Sequence, residues 1–166
     1  MQTLLLNDKK IRQKVKRIAY QVYENNLFSP TLFVGGLRER GAFLSKLISQ
    51  ELSLCGHNIQ LIPFQILLDP DASQQVQVKG VDPIQLQNQP LLLVDDVLNT
   101  GFTLTQVMAF LFDYKPSSME TAFLAARNHR MFPVKGNYVG IKLATTFEEH
   151  LDFDCSEPHD LKLYLR

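Results

Sequence analysis

The chain has 166 residues and a mass of 19.0 kDa, with 45% hydrophobic and 20% charged residues. That is the size and balance of one globular domain, here residues 1–166, able to build its own core. Seventeen basic residues balance 17 acidic ones, no apolar run approaches the roughly 18 residues of a membrane span, and no basic, apolar-cored leader opens the chain. These features exclude a strongly basic nucleic-acid binder and a membrane protein and predict a cytoplasmic one. The neutral sum is uneven: residues 1–50 hold nine basic and three acidic residues, the remainder eight basic and fourteen acidic, an asymmetry that can mark an interaction surface.

Asp8 through Glu24 reads as a helix, with Ile11, Val15, Ile18, Ala19, Val22 and Tyr23 at three- and four-residue spacing and basic residues on the other face. Asp8 is the expected N-cap and Asn25-Asn26 the stop. Thr31 to Val34 reads as a buried strand, followed by Gly35-Gly36 and a charged loop from Leu37 to Gly41. Ala42 to Leu54 returns to helical spacing, stopped by Gly56. Ile59 to Leu68 is strand-like but interrupted by Pro63, and the polar stretch from Asp69 to Val81 reads as a loop with a strand at its end. Leu91 to Val94, four consecutive aliphatics, is the clearest strand. Phe102 to Phe112 is the next helix; Glu120 to Ala126, Tyr138 to Leu143 and Leu161 to Leu165 are further strands. The acidic stretch from Glu148 to Asp160 reads as surface, with His57, His150 and His159, whereas Phe28, Phe33, Phe43, Phe110 and Phe112 read as core. Cys55 and Cys155 stand alone in no metal-like spacing and read as reduced thiols. Strands alternating with helices predict an α/β fold with a mostly parallel central sheet flanked by helices. In such sheets ligands sit at the carboxyl ends of the strands, which directs attention to the segments after Val34 and after Val94.

After Leu91-Leu92-Leu93-Val94 come Asp95-Asp96, then Asn99-Thr100-Gly101-Phe102-Thr103, then a helix. Backbone N–H groups of a tight turn at a helix N-terminus suit a phosphate, and Gly101 lets the backbone approach it closely. Two adjacent carboxylates repel a phosphate; they suit hydroxyls, a metal ion or another cation. Sugar hydroxyls beside a phosphate describe a ribose phosphate.

LLLVDDVLNTGFT, residues 91–103, resembles the phosphoribosyl-diphosphate (PRPP) signature of type I phosphoribosyltransferases. FVGGLRERGAFLSKL, residues 33–47, resembles the strand, pyrophosphate loop and helix of the bifunctional pyr operon attenuator/uracil phosphoribosyltransferase family. ARNHRMFPVKGNYVGIKLATT, residues 126–146, is similar to that family's base-hood segment and following strand. The resemblance covers nearly the whole chain and is poorest over residues 66–77. It implies a type I phosphoribosyltransferase fold with a small hood. By the same resemblance Asp95 and Asp96 hold the ribose hydroxyls, and Asn99, Thr100, Gly101, Phe102, Thr103 and Leu104 wrap the 5-phosphate. Arg38, Glu39, Arg40 and Gly41 meet the pyrophosphate, and Arg127, Asn128 and His129 lie near the base. Mg²⁺ enters bound to the substrate, with Asp95 and Asp96 as its possible protein ligands. The departing pyrophosphate leaves an oxocarbenium-like ribose, which calls for electrostatic stabilisation and a metal rather than a covalent nucleophile.

The chain also departs from the family pattern. Asn99 stands where 6-oxopurine enzymes carry an Asp before Thr-Gly. Glu39 stands where the uracil/attenuator branch has Thr, Phe102 where it has Arg, and Ala126 and Asn128 where it has Asp and Gly. These changes bear on base choice and turnover rather than on PRPP binding. The expected activity is conversion of uracil and PRPP to UMP and pyrophosphate. The alternatives are a nucleotide-sensing, RNA-binding regulator and a transferase for another base. The face carrying Lys9, Lys10, Arg12, Lys14, Lys16 and Arg17 keeps the RNA alternative open, although such a face is most often simply solvated. Family members are commonly dimers or larger, so a homo-oligomer is expected.

Overall fold

The computed structural model describes residues 2–56, 58–68, 75–128, 130–144 and 149–166. In chain order the elements are β1 (Thr3–Leu6), α1 (Asp8–Asn25), β2 (Thr31–Leu37), α2 (Arg38–Cys55), β3 (Gln60–Leu68), β4 (Val76–Lys79) and a 3-10 turn at Pro83–Leu86. Then follow β5 (Pro90–Leu98), α3 (Phe102–Phe112), β6 (Ser118–Arg127), β7 (Tyr138–Leu143), β8 (Leu151–Asp154) and β9 (Lys162–Leu165). The main sheet runs β4-β3-β2-β5-β6-β7, parallel throughout except for the antiparallel edge strand β4. A second, antiparallel sheet, β1-β9-β8, joins the two ends of the chain. The expected α/β fold with a mostly parallel central sheet is thus present, beside a small antiparallel sheet.

Side chains alternate across each strand, and this sorts the core into two layers. Leu32, Val34, Leu92, Val94, Ala122 and Leu124 pack with the apolar stripe of α1, with α2 and with Phe153, Leu161 and Leu163 of the C-terminal segment. Phe33, Leu91, Leu93 and Phe123 face the opposite way, onto Leu104, Val107 and Leu111 of α3. A parallel sheet covered on both faces explains why its strands read as unbroken aliphatic runs.

Several expectations need correction. Asn7, not Asp8, caps α1: its side chain accepts the Lys10 N–H at 3.1 Å. Asp8, freed from capping, instead takes the Arg12 guanidinium at 2.8 Å and the Leu161 N–H at 3.3 Å. Pro63 does not interrupt β3. It pairs in register with Val34, and β4 begins to pair only at Gln65, so the sheet edge beside Pro63 is open, as proline requires. The charged loop expected from Leu37 to Gly41 does not exist: β2 runs to Leu37 and α2 starts at Arg38. The acidic stretch contains β8, whose Phe153 is fully buried beside Phe43. Phe28 is 99% exposed and Phe112 is exposed as well, so neither belongs to the core. Cys55 and Cys155 are free.

Two of the six basic residues of α1 have work inside the molecule. Arg12 Nη2 donates to the Pro158 carbonyl at 2.7 Å, and Arg17 Nη2 donates to the carbonyls of Val139 and Gly140 at 2.8 and 2.9 Å. Part of the surplus positive charge therefore anchors α1 to the C-terminal segment and to the outer strand β7.

Candidate active site

The site gathers where β2 and β5 end. Asp95 and Asp96 lie within β5, not beyond it, because the strand continues to Leu98. Gly41, in the first turn of α2, packs directly on that strand: a Cβ there would lie 2.6 Å from the Val94 carbonyl oxygen and 3.2 Å from Asp95 Oδ1. Only glycine lets the helix start this close to the carboxylates. Arg38 has φ +55°, a left-handed conformation that costs a non-glycine residue energy. It lets the chain turn sharply from strand to helix, and the Arg38 carbonyl accepts the Gln65 side-chain amide at 3.1 Å. From there Arg38 Nη2 reaches Thr103 Oγ1 at 3.4 Å. The strand-end turn and the start of α3 thus face each other.

Gly101, φ +86°, stands at the N-cap of α3, and no side chain caps the helix. Its first N–H groups are available to an anion, the one shared contact being Phe102 N–H to Thr100 Oγ1 at 3.3 Å. The Thr100 carbonyl accepts the N–H groups of both Met131 and Phe132, and the Phe132 ring tilts against Phe102 with centroids 5.6 Å apart. The segment after β6 therefore buttresses the turn. Arg127, buried at the end of β6, donates Nη1 to Asn99 Oδ1 at 2.8 Å. Asn128 is exposed and its N–H continues the strand pairing to the Leu143 carbonyl at 3.1 Å; His129 lies outside the described residues.

Two adjoining cavities result. One, of about 270 Å³, is walled by Asp95, Asp96, Arg38 and the run from Asn99 to Leu104. The other, of about 420 Å³, lies between Asp95, Asp96 and Arg38, Glu39 and Arg40. Fourteen of the fifteen residues named from the sequence fall among the described residues, and thirteen of them wall these cavities or bear directly on their walls. Glu39 is exposed and makes no ion pair with Arg38 or Arg40 among the described residues. Burial, then the neighbouring Asp96 charge, push the Asp95 carboxyl well above the usual carboxylate range, although the Asp96 N–H at 2.9 Å and Arg38 pull the other way. Hydroxyl donors or a cation at this carboxylate would relieve that burden.

No cluster of three metal-ligating side chains exists among the described residues. Two carboxylates facing a phosphate seat fit Mg²⁺ all the same, because this ion usually takes one or two carboxylates, waters and substrate phosphate oxygens. The sequence reading missed His150 and Leu151, which complete the smaller cavity, and Asp152, whose Oδ1 lies 2.8 Å from Arg40 Nη1. The alternation Leu151-Asp-Phe-Asp was the available signal, a short strand with one face buried. A larger concavity, about 660 Å³ between α2, β3 and the end of β4, is lined by no carboxylate among the described residues and is not part of this site.

Fold and site together define a phosphoribosyltransferase. The chain belongs to the phosphoribosyl transferase domain family, whose model matches residues 1–158. It is 31% identical to the "Bifunctional protein PyrR" of Bacillus cereus over 163 residues, covering 93% of this chain and 91% of that protein. The PyrR of Bacillus thuringiensis subsp. konkukian gives the same figures. Among solved structures, the hypoxanthine phosphoribosyltransferase of Trypanosoma cruzi superposes with a TM-score of 0.77 over 97% of this chain and 95% of that one, at 16% identity. A hypoxanthine phosphoribosyltransferase of Staphylococcus aureus gives 0.72 over 87% and 80%, at 22% identity. No helix among the described residues is long and apolar enough to cross a membrane.

Proposed function

We propose that the protein transfers the phosphoribosyl group of PRPP to uracil, releasing UMP and pyrophosphate, in the pyrimidine salvage of the cytoplasm. The observation that supports this best is the placement of Asp95 and Asp96 between two anion seats, the uncapped start of α3 and the Arg38–Gly41 turn. In this reading the N–H groups of Phe102, Thr103 and Leu104 and the Thr100 and Thr103 hydroxyls hold the 5-phosphate. Asp95 and Asp96 accept hydrogen bonds from the ribose hydroxyls and face the positive charge that develops on the ring. Arg38 and Arg40 oppose the pyrophosphate, and Arg127, Asn128 and His129 belong to the base end. Asp95 and Asp96 would hold Mg²⁺ carried in with the substrate, and the ion would supply charge neutralisation for the departing pyrophosphate. Uracil is favoured by the resemblance to PyrR and by Asn99, an amide that cannot serve as the carboxylate of 6-oxopurine enzymes. Conversion of labelled uracil in the presence of PRPP and Mg²⁺ tests this; absence of UMP, with PRPP binding retained, would overturn the assignment, and a panel of bases scored by pyrophosphate release would then identify the acceptor.

A nucleotide-sensing regulator that binds RNA is the second reading. It is supported by Lys9, Lys10, Lys14 and Lys16, which make no ion pair among the described residues, and by the losses at Glu39, Phe102 and Ala126. UMP-dependent RNA binding in a gel shift, abolished by charge reversal of these four lysines, is its test. Arg12 and Arg17 are unsuitable for reversal, since both anchor α1. A homo-oligomer, supported by the exposed Phe28 and Phe112, is checked by light scattering.

A further inference from the structure

We infer that Gln65 is a positioning residue for the pyrophosphate end of the site: its side-chain amide holds Arg38 in the left-handed conformation that keeps this arginine between the two cavities. The inference rests on the phosphoribosyltransferase reading above and adds to it what keeps the pyrophosphate turn in shape. Arg38 walls both cavities, as Asp95 and Asp96 do, and no other arginine or lysine among the described residues lines both. Its guanidinium spans the gap to Thr103 Oγ1 at 3.4 Å. A cation so placed can face the anionic groups at both ends of PRPP, provided its backbone stays where it is.

That backbone is strained. Three non-glycine residues among those described have a left-handed φ: Arg38, Asn88 and Lys115. Asn88 and Lys115 stand in the turns that lead into β5 and β6, at the end of the sheet away from the carboxylates. Only Arg38 carries this strain at the site, and such a conformation persists where the surroundings over-determine it. Rotation of φ from +55° to an ordinary negative value would turn the Arg38 carbonyl and side chain away together. Gln65 opposes that rotation. Its amide faces a carbonyl, which only accepts, so Nε2 is the donor, 3.1 Å from the Arg38 oxygen. The amide also swings from a fixed point. Gln65 is where β3 becomes paired on both sides, with Gly36 of β2 and Lys79 of β4. It is half-buried and lines neither cavity, so it acts on substrate through Arg38 alone.

Ribose 5-phosphate and PRPP share ribose and 5-phosphate and differ by the pyrophosphate, so their affinity ratio isolates the pyrophosphate end, whatever the base. Both are titrated against the full chain with Mg²⁺ present. Gln65→Met keeps the length of the side chain and removes the donor. It should weaken PRPP by about fivefold, the net worth of one hydrogen bond, and leave ribose 5-phosphate within about twofold, a split that a merely structural role would not give. Glycine takes a positive φ without strain. In an Arg38→Gly background, itself weaker for PRPP, Gln65→Met should therefore cost less than about twofold more. Unchanged PRPP binding in Gln65→Met, equal losses for both ligands, or the full loss persisting beside Arg38→Gly would overturn the inference and leave the transferase reading intact. Failure of the wild type to bind PRPP would overturn both.

Discussion

Arg40 Nη1 lies 2.8 Å from Asp152 Oδ1 and 3.7 Å from Asp96 Oδ2. The arginine proposed to meet pyrophosphate is therefore held by the small sheet, and Arg166 takes the other oxygen of the same Asp152 carboxylate at 2.7 Å. The small sheet and the Arg38–Gly41 turn are joined through one side chain. Because the pair is partly exposed, Asp152→Ala should lower stability by no more than about 1 kcal/mol. It should raise the KM for PRPP severalfold, since the released Arg40 has Asp96 as its nearest remaining anion. In a double-mutant cycle with Arg40→Ala the KM effects should be non-additive by about 0.5–3 kcal/mol; additive effects would show that Asp152 does not act through Arg40.

Asp95 carries the expected conflict between function and stability. Its carboxyl is raised well above the ordinary range by burial and by Asp96, so the folded state holds its proton at a pH where the unfolded chain has lost it. The sign follows: stability from this group is full below the unfolded value and is lost as pH rises through the folded one. Asp95→Asn should accordingly raise the melting temperature at neutral pH, by about 2–4 °C for each kcal/mol relieved, and the gain should shrink as pH is lowered. The same variant should lose PRPP binding. In the wild type, PRPP affinity should fall on acidification from a higher pH than an ordinary aspartate would give.

Phe153→Ala tests the packing of the small sheet. The ring is fully buried and meets Phe43 with centroids 6.3 Å apart. Its removal should cost about 3–5 kcal/mol, measured by chemical denaturation, with Phe153→Leu costing much less. A surface position would cost almost nothing.

Gly41→Ala probes the contact between α2 and β5. The new methyl would press on the Val94 carbonyl and on Asp95, neither of which is the free end of a flexible chain. A loss of about 1–3 kcal/mol is expected from such overpacking. PRPP binding should fall by at least tenfold, because the first turn of α2 must move off the carboxylates.

What the sequence determined by itself was local. The bounds of α3, Phe102–Phe112, and of β7, Tyr138–Leu143, follow from apolar spacing and from the Gly101 and Pro116 that frame the helix. The order Leu91 to Thr103 already held a strand, two carboxylates and a phosphate-seating turn, since those signals lie within a dozen residues of one another. The tertiary structure decided whatever depends on distant partners. Leu37 to Arg40 looks like a loop because its charges outnumber its apolar residues, but pairing with β3 extends the strand through Leu37, and the sharp turn at Arg38 starts the helix at once. β9 is legible as the strand read from Leu161 to Leu165, but β1 and β8, four residues each, gain a partner only because chain segments about 160 residues apart meet, as at Thr3 and Leu165. The pairs Arg40–Asp152 and Arg127–Asn99 span 112 and 28 residues. Spacing along a sequence reports which face of an element a side chain occupies; which other element lies opposite that face is settled only when the sheets and helices pack.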